Sequence, residues 1–268
     1  MLLPSGQVVV FGGIEYDLTA NTGTTLNTAE IYTPSLGTWA QVAHPMTVAR
    51  AYPAAVLLAD GSVLIAGGES AGTAELFDPA TGTFAATGGM AGPRSQGFSL
   101  VALDDGTALA AGADLSSSGP VVEVYSPTTK VFKTVGSTAL MGGLGNLSDL
   151  APIDCAANIG NGQVLLFAAT GPQPVGSIPT GNITLVYNVA AKTFSHGPTP
   201  TIGRRYPAIV PFASGKVVVA RRQLPQCTSD NYTRASGVAL DRGIHDTLEL
   251  RPSGRRKALP CRGSQTSR

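Results

Sequence analysis

One frame of residues recurs along this chain, and no other feature limits the fold as tightly. Its clearest copy runs from Ala54 to Phe84. The apolar run Ala54–Leu58 meets Asp60-Gly61 and resumes as Val63-Leu64-Ile65. Asp-Gly between two β-prone runs predicts a tight hairpin of type I′, because Gly takes positive φ without a Cβ clash. The second run stops at Gly67-Gly68, a pair that breaks a strand and lets another backbone approach. Ala74-Glu75-Leu76-Phe77 then reads as a strand, Asp78-Pro79-Ala80-Thr81-Gly82 as a turn, and Thr83-Phe84 as the opening of a further strand. The unit is therefore four antiparallel strands, a to d.

The same parts return in the same order. The a–b turn recurs at Ser5-Gly6, Asp105-Gly106, Asn161-Gly162 and Ser214-Gly215, so from Gly6 onward successive turn glycines are 55, 45, 56 and 53 residues apart. The c-to-d segment recurs from Ala29 (AEIYTPSLGTW), from Val122 (VEVYSPTTKVF) and from Thr184 (TLVYNVAAKTF). Each copy sets two aromatics seven apart: Tyr32 and Trp39, Phe77 and Phe84, Tyr125 and Phe132, Tyr187 and Phe194. Four-strand repeats of about 40 to 50 residues predict propeller blades, stacked so that each sheet buries both faces against its neighbours. The expected fold is thus all-β: about four blades of four antiparallel strands plus a partial fifth. The fixed register of the aromatics assigns them to packing between blades.

An apolar run ending in Gly-Gly, followed by a spaced Tyr and Trp, resembles the Kelch repeat, in the bacterial form similar to the propeller domain of galactose oxidase. The resemblance covers about Leu2 to Ala220, with Gly112-Ala113 and Ala168-Ala169 standing where the third and fourth copies would have Gly-Gly. It raises a copper-radical oxidase, which would require two Tyr and two His ligands with a Cys joined to one Tyr. No segment matches those ligand motifs, so no catalytic residue, cofactor or metal ligand is assigned.

Charge divides the chain where the repeats stop. Residues 1–220 hold 8 Lys/Arg and 13 Asp/Glu, and residues 221–268 hold 10 and 4, so a net charge of +1 conceals an acidic repeat region and a basic tail. After Val217-Val218-Val219-Ala220 the frame requires Gly-Gly and the chain has Arg221-Arg222-Gln223. Codons exist for which this segment gives Gly-Gly one base later, and Leu240–Asp246 gives Ser-Thr-Glu-Val-Tyr-Thr, a c-strand signature. The tail is therefore expected to be a disordered basic segment or an out-of-frame translation of a fifth blade, the rival reading being a native tail for nucleic acid or an acidic surface. Met1 enters at the end of an a strand, which points to a blade that begins incomplete. No apolar run approaches the roughly 18 residues of a membrane span, and the compartment stays open, with a secreted or cell-surface one favoured.

Binding is expected on the face where b–c and d–a connectors emerge, since variable loops on a rigid scaffold carry function. The longest b–c connector, Ile14 to Thr28, supplies Tyr16 and Asp17; the d–a connectors supply His44 and a recurring arginine, Arg50, Arg94 and Arg204-Arg205, just ahead of the a strand. A planar five-donor guanidinium suits fixed carbonyls of neighbouring blades; the alternative is a ring of guanidinium groups around an anionic ligand. The three His and three Cys show no metal or disulfide spacing. The chain is accordingly read as a non-catalytic scaffold for a protein or carbohydrate ligand, with exposed strand edges able to self-associate. Two alternatives stand: a galactose-oxidase-like enzyme whose ligands lie elsewhere, and a cell-surface glycan-binding module.

Overall fold

The computed structural model describes residues 1–94, 98–112, 122–136, 150–170, 182–201, 207–212, 216–221 and 238–240. Every regular element among them is a strand, and all strand pairs are antiparallel. The first sheet holds β1 (Val8–Phe11), then β4 (Ala29–Thr33) and β5 (Thr38–Gln41), in the order β1-β4-β5. Between β1 and β4, β2 (Ile14–Asp17) and β3 (Thr22–Thr25) form a hairpin of their own. Leu2 bridges Val8, placing Met1–Leu3 where the other sheets have a first strand.

Three complete meanders follow. The second sheet is β6 (Ala54–Leu57), β7 (Val63–Ala66), β8 (Ala74–Asp78) and β9 (Thr83–Thr87). The third is β10 (Phe98–Ala102), β11 (Ala108–Gly112), β12 (Val122–Ser126) and β13 (Val131–Gly136). The fourth is β14 (Leu150–Gly160), β15 (Gln163–Thr170), β16 (Asn182–Asn188) and β17 (Thr193–His196). A fifth sheet joins β18 (Pro207–Pro211), β19 (Val217–Arg221) and β20 (Val238–Leu240), so strand pairing runs past residue 220 into the basic segment. The first strands β6, β10, β14 and β18 stand side by side in that order, which makes the sheets fan from one side.

Sheet-on-sheet packing supplies the core. Val9, Ala29 and Met46 of the first repeat pack on Val63, Ile65 and Phe77 of the second. Val56, Leu58 and Leu64 pack on Ala108, Ala110 and Tyr125 of the third, whose Leu109, Ala111 and Val122 pack on Val164, Leu166 and Tyr187 of the fourth. Cys155, Leu165 and Phe167 then meet Val217 and Val219. The second strands β7 and β11 are buried at every residue, which is why they read as unbroken apolar runs. Each large apolar side chain so buried contributes about 1.5–3 kcal/mol.

The seven-residue aromatic spacing has a register explanation. Tyr32 stands opposite Trp39, Phe77 opposite Phe84, Tyr125 opposite Phe132 and Tyr187 opposite Phe194, with ring centroids 5.2, 4.8, 4.9 and 4.8 Å apart. Phe77, Tyr125, Phe132 and Tyr187 are buried, as core packing demands, but Trp39 is 52% exposed. Its face of the first sheet has no covering sheet among the described residues.

The a–b turns differ from expectation. At Leu58–Gly61 and Leu103–Gly106 the glycine amide donates to the leucine carbonyl at 3.1 Å, and only the glycine is left-handed, at φ 86° and 83°. This is a type I turn followed by a glycine bulge, rather than type I′. Asp60 and Asp105 accept from the amides of Ser62 and Thr107, 2.9 and 3.0 Å, which fixes that form. Asn161-Gly162, at φ 55° and 64°, is the turn that takes the type I′ shape. The c–d turns share one geometry, with Gly37, Gly82, Lys130 and Lys192 donating to Thr33, Asp78, Ser126 and Asn188 at 2.8–2.9 Å; the lysines are left-handed too, at φ 56°.

Candidate functional site

The d–a connectors meet the b–c connectors through arginine. Arg50 is fully buried, and its Nη1 donates to the carbonyls of Gly67 and Thr73 at 2.8 and 3.1 Å, while Nη2 donates to Thr73 Oγ1 at 2.9 Å and to Glu75 Oε2 at 3.1 Å. Its backbone faces the preceding sheet: the Arg50 amide donates to Leu26, and the Gly13 amide donates to the Arg50 carbonyl at 2.8 Å. One residue thus ties the first repeat to the second.

Arg94 repeats the arrangement one sheet on. Nη1 donates to the Gly112 carbonyl, Nη2 donates to Glu123 Oε2 at 2.6 Å, and the Gly68 amide donates to the Arg94 carbonyl at 2.8 Å. The second carboxylate oxygen is also engaged in both copies, by the Thr47 amide on Glu75 at 2.8 Å and by the Ala91 amide on Glu123 at 2.9 Å. Burial pulls the Arg94 guanidinium down from its ordinary pKa, and the hydrogen bond and charge of Glu123 oppose that. Both guanidinium groups are occupied inside the fold, and neither opens to solvent. Arg204 and Arg205 lie outside the described residues.

Glu75 and Glu123 were not among the residues singled out from sequence. Their signal was present: Glu is the second residue of AEIY, AELF and VEVY, where flanking residues are apolar, and TLVY has Leu185 there. A carboxylate repeated inside a buried strand calls for a cation.

Tyr16 and Asp17 lie on the β2–β3 hairpin, which is exposed at every residue. Arg50 holds its root through Gly13 and Leu26. Tyr16 pairs with Gly23, and a Cβ there would lie 2.9 Å from Ile14 Cγ2 and 3.3 Å from Tyr16 Cδ2, so the two side chains cover the glycine. Asp17 Oδ1 accepts from the amides of Thr19 and Ala20 at 2.7 and 3.0 Å, which holds its carboxyl below the usual range and shapes the tip. The tip presents Leu18, 87% exposed and the most exposed large apolar residue among those described; Tyr52, two residues after Arg50, is also exposed. His44 is exposed on the connector between β5 and β6. The site therefore brings Tyr16 and Asp17 together on one hairpin, with Ile14 and Leu18 added by the structure.

The arrangement of sheets matches known structures. The chain is similar to the solved structure of YjhT, with a TM-score of 0.61 at 14% identity over 81% of this chain and 74% of that one. The fold is a β-propeller. It is similar too to a novel fungal alcohol oxidase with catalytic diversity among the AA5 family, in complex with copper, with a TM-score of 0.53 at 15% identity over 90% of this chain. The chain spans 62% of that oxidase. No family model and no curated protein matches the sequence. Within the propeller the sheets are blades, and the two arginines are bolts between consecutive blades. Among the described residues no three His, Cys, Asp or Glu side chains come together to hold a metal ion. No helix of the described residues is long and apolar enough to cross a membrane.

Proposed function

We propose that this chain is a Kelch-type binding scaffold that engages a protein partner through the connector face, with the β2–β3 hairpin as the principal contact. The observation that carries this reading is the exposure of Ile14, Tyr16 and Leu18 on a projecting hairpin whose root is bolted to the second blade by Arg50. A rigid mount lowers the ordering entropy of binding, and apolar and aromatic side chains at a loop tip are the usual anchors of protein interfaces. Leu18 favours protein over carbohydrate, because sugar recognition draws on aromatic faces whereas an aliphatic tip fills an apolar pocket.

The test is affinity enrichment with the native chain and with the Tyr16→Ala/Leu18→Ser variant, both checked for folding by circular dichroism. A partner retained by the native chain and lost by the variant supports the proposal; equal retention by both overturns it. A glycan array with Tyr16→Ala separates the carbohydrate alternative. A second reading, as the propeller of a copper-dependent oxidase, draws on the likeness to the fungal alcohol oxidase. Stoichiometric copper in the purified protein, with oxidase activity, would favour it over the scaffold.

A further inference from the structure

We infer that the partner joins the hairpin as an added strand: an extended segment of alternating apolar and basic side chains pairs antiparallel with the outer edge of β3. This rests on the hairpin being the contact, and it names what the hairpin binds. Register decides which backbone groups are free to pair. The Leu26 amide donates inward to the Gly13 carbonyl at 2.9 Å, and inward-facing and outward-facing residues alternate along an antiparallel ladder. Thr24 and Thr22 therefore bond inward to Glu15 and Asp17, while Gly23 and Thr25 turn their amides and carbonyls outward. The sheet has two strands, and no further strand among the described residues pairs with β3.

Both strands of this ribbon are exposed, but their edges are not alike. β2 carries Ile14, Glu15, Tyr16 and Asp17, the bulk and charge that keep strands from pairing edge to edge. β3 is Thr-Gly-Thr-Thr, with no charge, no proline and no large side chain. Adding a strand to such an edge through main-chain hydrogen bonds is an established mode of peptide capture. Alternation then sets the added side chains. Those opposite Gly23 and Thr25 share the apolar face of Tyr16 and Ile14; those opposite Thr22 and Thr24 share the acidic face of Asp17 and Glu15. Neither carboxylate has an ion-pair partner among the described residues, and no Lys or Arg precedes Arg50, which is buried. A lysine crossing a short threonine reaches either carboxylate. A second copy of β3 brings only threonine and glycine to that face, so a basic segment of another protein is the occupant.

The probe is a capped heptapeptide of alternating lysine and valine, added to the native chain at low salt up to about 1 mM, with amide exchange followed residue by residue by NMR. The Gly23 and Thr25 amides are expected to exchange about tenfold more slowly with peptide, and the inward Glu15 amide to change little. N-methylation of the central valine, whose amide faces β3, should abolish that protection; methylation of the adjacent lysine, whose amide faces away, should keep it. Thr25→Pro removes one outward amide at an edge where proline is tolerated and should weaken the peptide about tenfold. Glu15→Lys should weaken it too, and a peptide of alternating glutamate and valine should not bind. Unchanged exchange at Gly23 and Thr25, protection that survives valine methylation, or equal binding of the glutamate peptide overturns the inference. So does slowing that follows protein concentration alone, which would give the edge to a second copy. In the affinity enrichment, a partner lost by Tyr16→Ala/Leu18→Ser but retained by Thr25→Pro overturns strand addition and leaves the hairpin as the contact; one retained by both variants overturns the hairpin contact as well.

Discussion

The seams on either side of the third blade are built from the same strands and closed by different chemistry. Between the second and third blades Glu123 lies opposite Ala110 in β11 and takes Arg94. Between the third and fourth blades the equivalent position is Leu185, opposite Leu166 in β15 and buried with it at 1% and 0% exposure. No arginine occurs from residue 95 to residue 203, so the glutamate and the arginine that would answer it are missing from that seam together. The backbone follows suit. β7 ends at Ala66, because Gly67 and Gly68 turn left-handed at φ 63° and 76°, whereas β15 continues through Ala168 and Ala169 to Thr170. A buried ion pair and an apolar contact are alternative ways to close one seam, but half of an ion pair is not.

The seam between the first and second blades is closed by the same kind of pair, Arg50 and Glu75, and there Arg50→Met should break this comparison most severely. It strands Glu75 in the interior, and urea unfolding is expected to show a loss of about 3–5 kcal/mol. Arg50→Met/Glu75→Leu copies the apolar seam and should return to within about 1 kcal/mol of the native chain. A double variant as unstable as the single one would show that the two seams are not interchangeable.

Gly68→Ala probes the backbone side. A Cβ at Gly68 would stand 2.6 Å from Pro53 N, at φ 76°, so a loss of about 2 kcal/mol is expected from strain and displacement; an unchanged urea midpoint would mean the connector yields freely. Lys192→Gly should act in the other direction. It relieves a left-handed lysine at φ 56° in a turn where the first two blades use Gly37 and Gly82, and should raise stability by about 0.5–1 kcal/mol.

The smallest effect is a pH dependence shared by the third and fourth blades. Burial pushes the phenols of Tyr125 and Tyr187 above the ordinary tyrosine value, and Tyr125 is also held by a 2.7 Å hydrogen bond to Thr87. Between the ordinary pKa of about 10 and the raised folded value, the folded state keeps a proton that the unfolded state has lost. Stability is therefore full below about pH 10 and falls as pH rises through the folded pKa values. Tyr125→Phe should flatten that alkaline limb, and an unchanged limb would assign the fall to other groups.

Much of this was legible in the residues. The c strand at Ala74–Phe77, the d strand from Thr83 and the seven-residue aromatic pairs are local patterns, set by alternation and turn chemistry, and they appear where expected. The hairpin within Ile14–Thr28 was hidden because TGTT has no apolar alternation to mark a strand. β14 begins at Leu150, through a pairing with several register shifts that no short motif announces. The candidate residues were legible only by position: Tyr16 and Asp17 belonged to a long loop, while Leu18 gained meaning from where the hairpin root is tied.

The order of strands, the repeat of the sheets and the residues at each turn were settled by the sequence itself, since backbone preference and side-chain alternation act over a few residues. Burial was decided by the tertiary structure. Glu30 and Glu75 hold the same place in the same motif, and Trp39 and Phe84 likewise, yet one member of each pair is exposed while its counterpart is largely covered. Solvent access at those positions depends on whether another sheet lies against them, and a neighbouring sheet is a contact between distant parts of the chain, which no local pattern encodes.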